Sequence, residues 1–167
     1  MKFNKHDLEE AVKNLAFEVH HFRCYIRIDR ERRLWARSPI LGQAVRYSLL
    51  IHLRTLLTFF SGPPRNDDCW VGHFRVFPGV EQAFTSGKLT LPTGAKAVSE
   101  NLNKRLAHLT ATRWQKVAPP MAFYEKYFND IETLIETFQE ALPDDARQVF
   151  THGLGEWVAK HPETFEC

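Results

Sequence analysis

The segment "VRYSLLIHLRTLLTFF", residues 45–60, is strongly apolar, yet it carries Arg46, His52 and Arg54. Its apolar side chains recur every three or four residues, which predicts a buried helix. The apolar face is defined by Leu41, Val45, Leu49, Leu56 and Phe60. At about 100° per residue, His52 falls inside this face, Arg46 on its edge about 120° from His52, and Arg54 nearly opposite His52. A buried imidazole or guanidinium needs a hydrogen-bond partner, a carboxylate or a ligand, so these residues indicate a site or a polar network.

Helical periodicity continues on both sides of this segment. A first helix is predicted up to Trp35, because Ser38-Pro39 disfavours its continuation. The helices are predicted at residues 5–35, 40–60, 95–115 and 119–142, with a shorter fifth helix to about residue 160. The stripe of the fourth helix comprises Tyr124, Phe128, Ile131, Ile135, Phe138 and Leu142. We therefore expect an all-α protein, an antiparallel bundle of four to five helices forming a single domain over residues 1–167.

Residues 61–93 interrupt the helical pattern with glycine, proline and aromatic residues. They predict a long aromatic-rich loop, in which "VEQAF" suggests a short helix and "KLTL" a short strand. We expect Trp70, Phe74 and Phe77 to pack onto the bundle or onto a second subunit, because three exposed aromatic side chains would form an aggregation-prone patch.

The composition is that of an ordinary globular domain, with 44% hydrophobic residues, 25% charged residues and a formal net charge of +2. The N-terminus lacks the apolar run of a signal peptide, and charged side chains interrupt the longest apolar stretch, so we expect no membrane span. Three cysteines, an odd number, favour reduced thiols over a disulfide framework and predict a cytoplasmic protein.

A second helix repeats the combination of histidine and polar residues near an apolar stripe. In "NLNKRLAHLTATRW", residues 101–114, His108 lies near the rim of the stripe with Asn101 on the same side. We expect His52, Arg54 and His108 to lie near one another where the two helices pack, with Asn101 and Lys104 as further binding residues. Clefts between helices are where bundles build their sites.

The motifs "HLRTLLTFF" (residues 52–60) and "NKRLAHLT" (residues 103–110) look like two motifs that recur together in uncharacterised bacterial helical proteins. In addition, Arg46 followed after five residues by His52 is similar to the signature of HEPN domains, which are bundles of four or five helices. Many HEPN proteins are metal-independent ribonucleases in toxin and defence systems. The resemblance implies catalysis by Arg46 and His52, although Tyr47 replaces the usual polar residue and the pair lies early in the bundle.

Two other constellations offer different chemistry. His20 with Cys24 and Cys69 with His73 could together form a tetrahedral zinc site, although neither spacing is common in such sites. Buried thiols and surface histidines are the simpler interpretation, so no metal or cofactor is predicted. The basic run "RCYIRIDRERRLWAR", residues 23–37, could follow a phosphate backbone, or the acidic fourth and fifth helices could neutralise it.

Two hypotheses follow. The first is a HEPN-like ribonuclease that binds RNA and acts as a homodimer, in which a histidine moves protons and an arginine stabilises the developing phosphorane charge. The second is a non-catalytic helical module that binds a protein partner and contains a buried His/Arg network. A nuclease requires Arg46 and His52 to be open to a groove, whereas a network requires both to be sealed and hydrogen-bonded.

Overall fold

The computed structural model describes residues 4–31, 36–62, 69–103 and 121–160. In these ranges all regular structure is helical, and no strand is present. The helices are α1 (Lys5–Glu31), α2 (Pro39–Ser61), a 3₁₀ helix (Val71–Val76), α3 (Pro78–Thr85), α4 (Ala95–Leu102), α5 (Ala122–Glu125), α6 (Phe128–Ala141) and α7 (Asp144–Lys160). The all-α prediction is confirmed, and an arrangement as a helical bundle is consistent with the contacts described below.

Local sequence signals explain both ends of α2. Ser38 is its N-cap, where the side-chain Oγ accepts a hydrogen bond from the backbone N–H of Leu41 at 3.4 Å. Pro39 occupies the first turn, where its missing N–H costs nothing. Gly62 follows the helix with a φ of 105°, a conformation that glycine adopts without strain.

Helix α1 packs against α2 and α7, and α2 also contacts α4 and α6. Side-chain bonds join residue 18 to 52 and residue 29 to 46, so α1 and α2 run antiparallel. The centre of the core is aromatic: the rings of Phe59, Phe74 and Phe138 meet edge to face with centroids 5.2–5.8 Å apart.

The segment around residues 61–93 contains more helix than the sequence predicted. "VEQAF" lies within α3, which confirms the short helix, but "KLTL" forms turns and irregular chain instead of a strand. The aromatic prediction is confirmed, since Phe74 is fully buried and Trp70 and Phe77 pack against the core. Gly79 allows α3 to approach the end of α6, because a Cβ there would overlap the Ala141 carbonyl oxygen.

The predicted fourth helix is divided into α5 and α6 by a turn at Lys126–Tyr127. All six residues of its predicted stripe are nevertheless buried. The predicted third helix is observed over Ala95–Leu102, and the rest of it lies outside the described residues. No helix among the described residues has the length and apolar character needed to cross a membrane.

Candidate functional site

His52 is bonded to a carboxylate of the neighbouring helix. Its Nδ1 lies 2.7 Å from Oε2 of Glu18 in α1. The His52 side chain is 13% exposed and that of Glu18 is 25% exposed, so the pair is largely withdrawn from water. A hydrogen bond to a carboxylate in such surroundings is among the stronger side-chain interactions.

Two rings of α1 complete the surroundings of His52. The centroid of His21 lies 5.1 Å from that of His52, and the centroid of Tyr25 lies 5.5 Å from it. His21 and Tyr25 are 6.1 Å apart, so the three rings form a compact triangle. His21 Nδ1 lies 3.0 Å from the Phe17 carbonyl oxygen, which fits an N–H donor at that nitrogen. The cluster therefore orients both imidazoles.

Arg46 is bonded to a different carboxylate. Its Nε donates to Oδ1 of Asp29 at 2.9 Å, and the Asp29 side chain is only 9% exposed. The pair borders a cavity of about 250 Å³ that Arg30 and Glu125 also line. An aspartate this deeply buried requires a cation, and Arg46 supplies it.

The structure thus gives Arg46 and His52 separate partners. The two residues are six positions apart on α2, which corresponds to about 9 Å along the helix axis. The sequence predicted that both lie where helices pack, but it proposed Asn101, His108 or an arginine as the partner of His52. The observed partner is Glu18, which the sequence did not predict. The signal was present, since Glu18, His21 and Tyr25 recur at a helical spacing of three and four beside the apolar stripe of α1.

The other predicted binding residues form no single site in the described structure. Arg54 is half-buried, on a different face of α2 from His52. Asn101 is also half-buried, and its side-chain Oδ1 is buried without a hydrogen-bond partner among the described residues. Lys104 and His108 lie outside the described residues. The predicted meeting of His52 with His108 therefore stays a prediction.

The basic run of α1 is partly neutralised within the fold, as one of the two alternatives expected. Nε and Nη2 of Arg23 donate to the carboxylate of Glu132 in α6, the latter at 2.7 Å. The Nε of Arg27 lies 3.5 Å from Oε1 of Glu31. These residues, together with Arg30, line a cavity of about 400 Å³ over the apolar side chains of α1 and α6.

The four residues considered for zinc are not gathered into one site. Cys24 Sγ lies 3.2 Å from His20 Nε2 within α1, while Nδ1 of His73 accepts a hydrogen bond from the Trp70 backbone N–H. Nowhere in the described ranges do three or more potential metal ligands cluster. Burial lowers the pKa of His20, and the neighbouring His21 lowers it further. Burial raises the pKa of the Cys69 thiol to about 11.

No protein-family model matches this chain, and no curated protein or solved structure is significantly similar to it. The HEPN-like resemblance therefore stays a prediction.

Proposed function

We propose that this chain is a non-catalytic helical interaction module in which Arg46 and His52 fix α1 against α2. The observation that supports this best is that each residue is bonded to its own carboxylate on α1, His52 to Glu18 and Arg46 to Asp29. Two such bonds, one at the middle of the helix pair and one near the C-terminal end of α1, favour one antiparallel register over a slipped one, because a slip would separate both pairs at once.

The chemistry of RNA cleavage requires a different arrangement. A phosphate-binding arginine needs donors directed at the substrate, whereas the Nε of Arg46 is directed at Asp29. The carboxylate also opposes phosphate binding by its charge. His52 is 13% exposed, which leaves little of its ring for a substrate. The pairing of both residues, together with the burial of the His52 ring and of the Asp29 carboxylate, therefore supports the structural role.

The decisive experiment compares stability and RNA cleavage in His52→Ala. If the role is structural, the variant unfolds at a lower temperature and the wild type cleaves no RNA. His152→Ala is the matched control, because His152 is exposed on α7 and its removal should leave stability unchanged. Cleavage by the wild type that disappears in a His52→Ala protein of unchanged stability would contradict the proposal.

A second candidate function is a metal-independent ribonuclease of a bacterial defence or toxin system, as the HEPN-like resemblance implies. One observation favours it: the rings of His21 and His52 are 5.1 Å apart. One imidazole of such a pair can take the proton of the 2′-hydroxyl as its oxygen bonds to phosphorus, while the other protonates the departing 5′-oxygen. Loss of cleavage in both His21→Ala and His52→Ala, in the presence of a chelator, would support this candidate.

A further inference from the structure

The face of α2 that points away from the core carries an exposed apolar stripe. Ile40 is 79% exposed, Tyr47 is 44% exposed and Ile51 is 46% exposed, and Ala44 between them is also exposed. Contiguous exposed apolar patches of a few hundred Å² are among the largest on a typical soluble monomer, and such patches often bind a partner. We call these four residues the α2 stripe.

The spacing of the α2 stripe is that of a helix-pairing seam. Its members are separated by four, three and four residues, which keeps them within about 60° of one another around the helix axis. From Ile40 to Ile51 the stripe is about 17 Å long. The centre of the stripe lies about 110° around the axis from His52, so the stripe is separate from the polar network described above.

The spacings of four, three and four residues are the same when the helix is followed in either direction, which makes the stripe self-complementary. If two copies of α2 pair antiparallel about a two-fold axis between Ala44 and Tyr47, Ile40 of each copy meets Ile51 of the other. In the same arrangement each Tyr47 ring packs over the small Ala44 side chain of the other copy. Large side chains then face small ones, as close packing of an isologous interface requires.

We propose that the α2 stripe is a self-association surface, and that its partner is a second copy of this chain in antiparallel orientation. The inference rests on the proposed function as an interaction module, and it specifies the partner. The exposed stripe and its flanking Leu41 offer roughly 400–500 Å² per copy, or roughly 800–1,000 Å² in the pair, which is at or just below the lower limit for a specific interface. The dimer is therefore weak and concentration-dependent.

The test measures the mass of the full chain by sedimentation velocity from micromolar to millimolar concentrations. Two charged variants are compared, Ile40→Lys/Ile51→Lys and Ile40→Glu/Ile51→Glu. Each places like charges opposite one another in the proposed pair, so its self-association should weaken by about 100-fold or more. Val76→Glu is the matched control, because Val76 is 68% exposed outside the α2 stripe and should leave the dimer intact.

Mixing the two charged variants tests the antiparallel arrangement itself. Lysines of one copy then face glutamates of the other, and a mixed dimer should form although neither variant associates alone. A wild type that stays monomeric at millimolar concentration, a dimer that survives in both charged variants, or a mixture that does not associate would each overturn the inference. A monomeric wild type whose charged variants are destabilised would show that another segment of the same chain covers the stripe. None of these outcomes affects the stability test of His52, so the two proposals fail separately.

Discussion

The bond between Glu18 and His52 gives the sharpest quantitative prediction. We consider the double-mutant cycle formed by His52→Ala, Glu18→Ala and the variant that carries both changes. If the two residues hold α1 to α2, their effects on the free energy of unfolding are not additive, because either single change removes the same bond.

The structure sets the size of this coupling. A hydrogen bond to a charged group contributes about 1.5–3 kcal/mol, and the quarter of Glu18 that remains exposed reduces this toward about 1–2 kcal/mol. His52→Ala also removes the ring contacts with His21 and Tyr25, so the single change should cost about 2–3 kcal/mol in total. For a chain of 167 residues this corresponds to a fall in Tm of roughly 6–10 °C.

Urea unfolding of the four proteins, followed by circular dichroism, measures the coupling. His152→Ala provides the baseline for removal of an exposed histidine. A coupling below about 0.3 kcal/mol would refute the structural role of the pair, since contacts of this kind exceed the usual additivity error. An additive cycle together with RNA cleavage that depends on His52 would transfer the assignment to the nuclease hypothesis.

Three further predictions concern other parts of the chain. Arg46→Met should lower the free energy of unfolding by about 2 kcal/mol, because it removes the 2.9 Å bond to the buried Asp29. Adding Asp29→Asn to this variant should recover part of the loss in the same urea assay. Burial lowers the pKa of His73, so this histidine should not reduce the free energy of unfolding above its unfolded pKa of about 6.5, and should reduce it as the pH drops below that value. His73→Asn should flatten this fall when urea midpoints are measured against pH. Because burial raises the pKa of Cys69 to about 11, iodoacetamide at pH 8 should modify it about 100-fold more slowly than an ordinary exposed thiol, as peptide mass mapping would show.

The helical periodicity of the apolar residues predicted most of the helices. The α2 segment was predicted at residues 40–60 and is observed at Pro39–Ser61, because a proline, a capping serine and a glycine mark its ends. The break between α5 and α6 was not predicted, since the apolar stripe continues through Lys126–Tyr127 in helical register. Residues 71–76 were predicted as loop because a 3₁₀ helix of six residues is too short to produce a periodic pattern.

The candidate site was harder to predict than the fold. One sequence shows that His52 lies on an apolar face and therefore needs a polar partner, but it does not show which helix faces it. The choice of Glu18 follows from the antiparallel pairing of α1 with α2, which is a tertiary property. Asp29 and Arg46 illustrate the same point, since Asp29 stands within the basic run of residues 23–37 and only the structure places it against α2.

The two faces of α2 have different roles in the two proposals, one in packing within the chain and one in self-association. On the inner face, Arg46 is bonded to Asp29 and His52 to Glu18, and these two bonds fix the position of α2 against α1. The outer face carries the α2 stripe, which is apolar and exposed. A surface that pairs with a second copy needs a rigid support, because each side chain ordered on binding subtracts from the affinity. The two polar bonds on the inner face would hold α2 rigidly enough against α1 to support a small and weak interface. Weakening either bond should therefore reduce self-association, even though neither Arg46 nor His52 touches the α2 stripe.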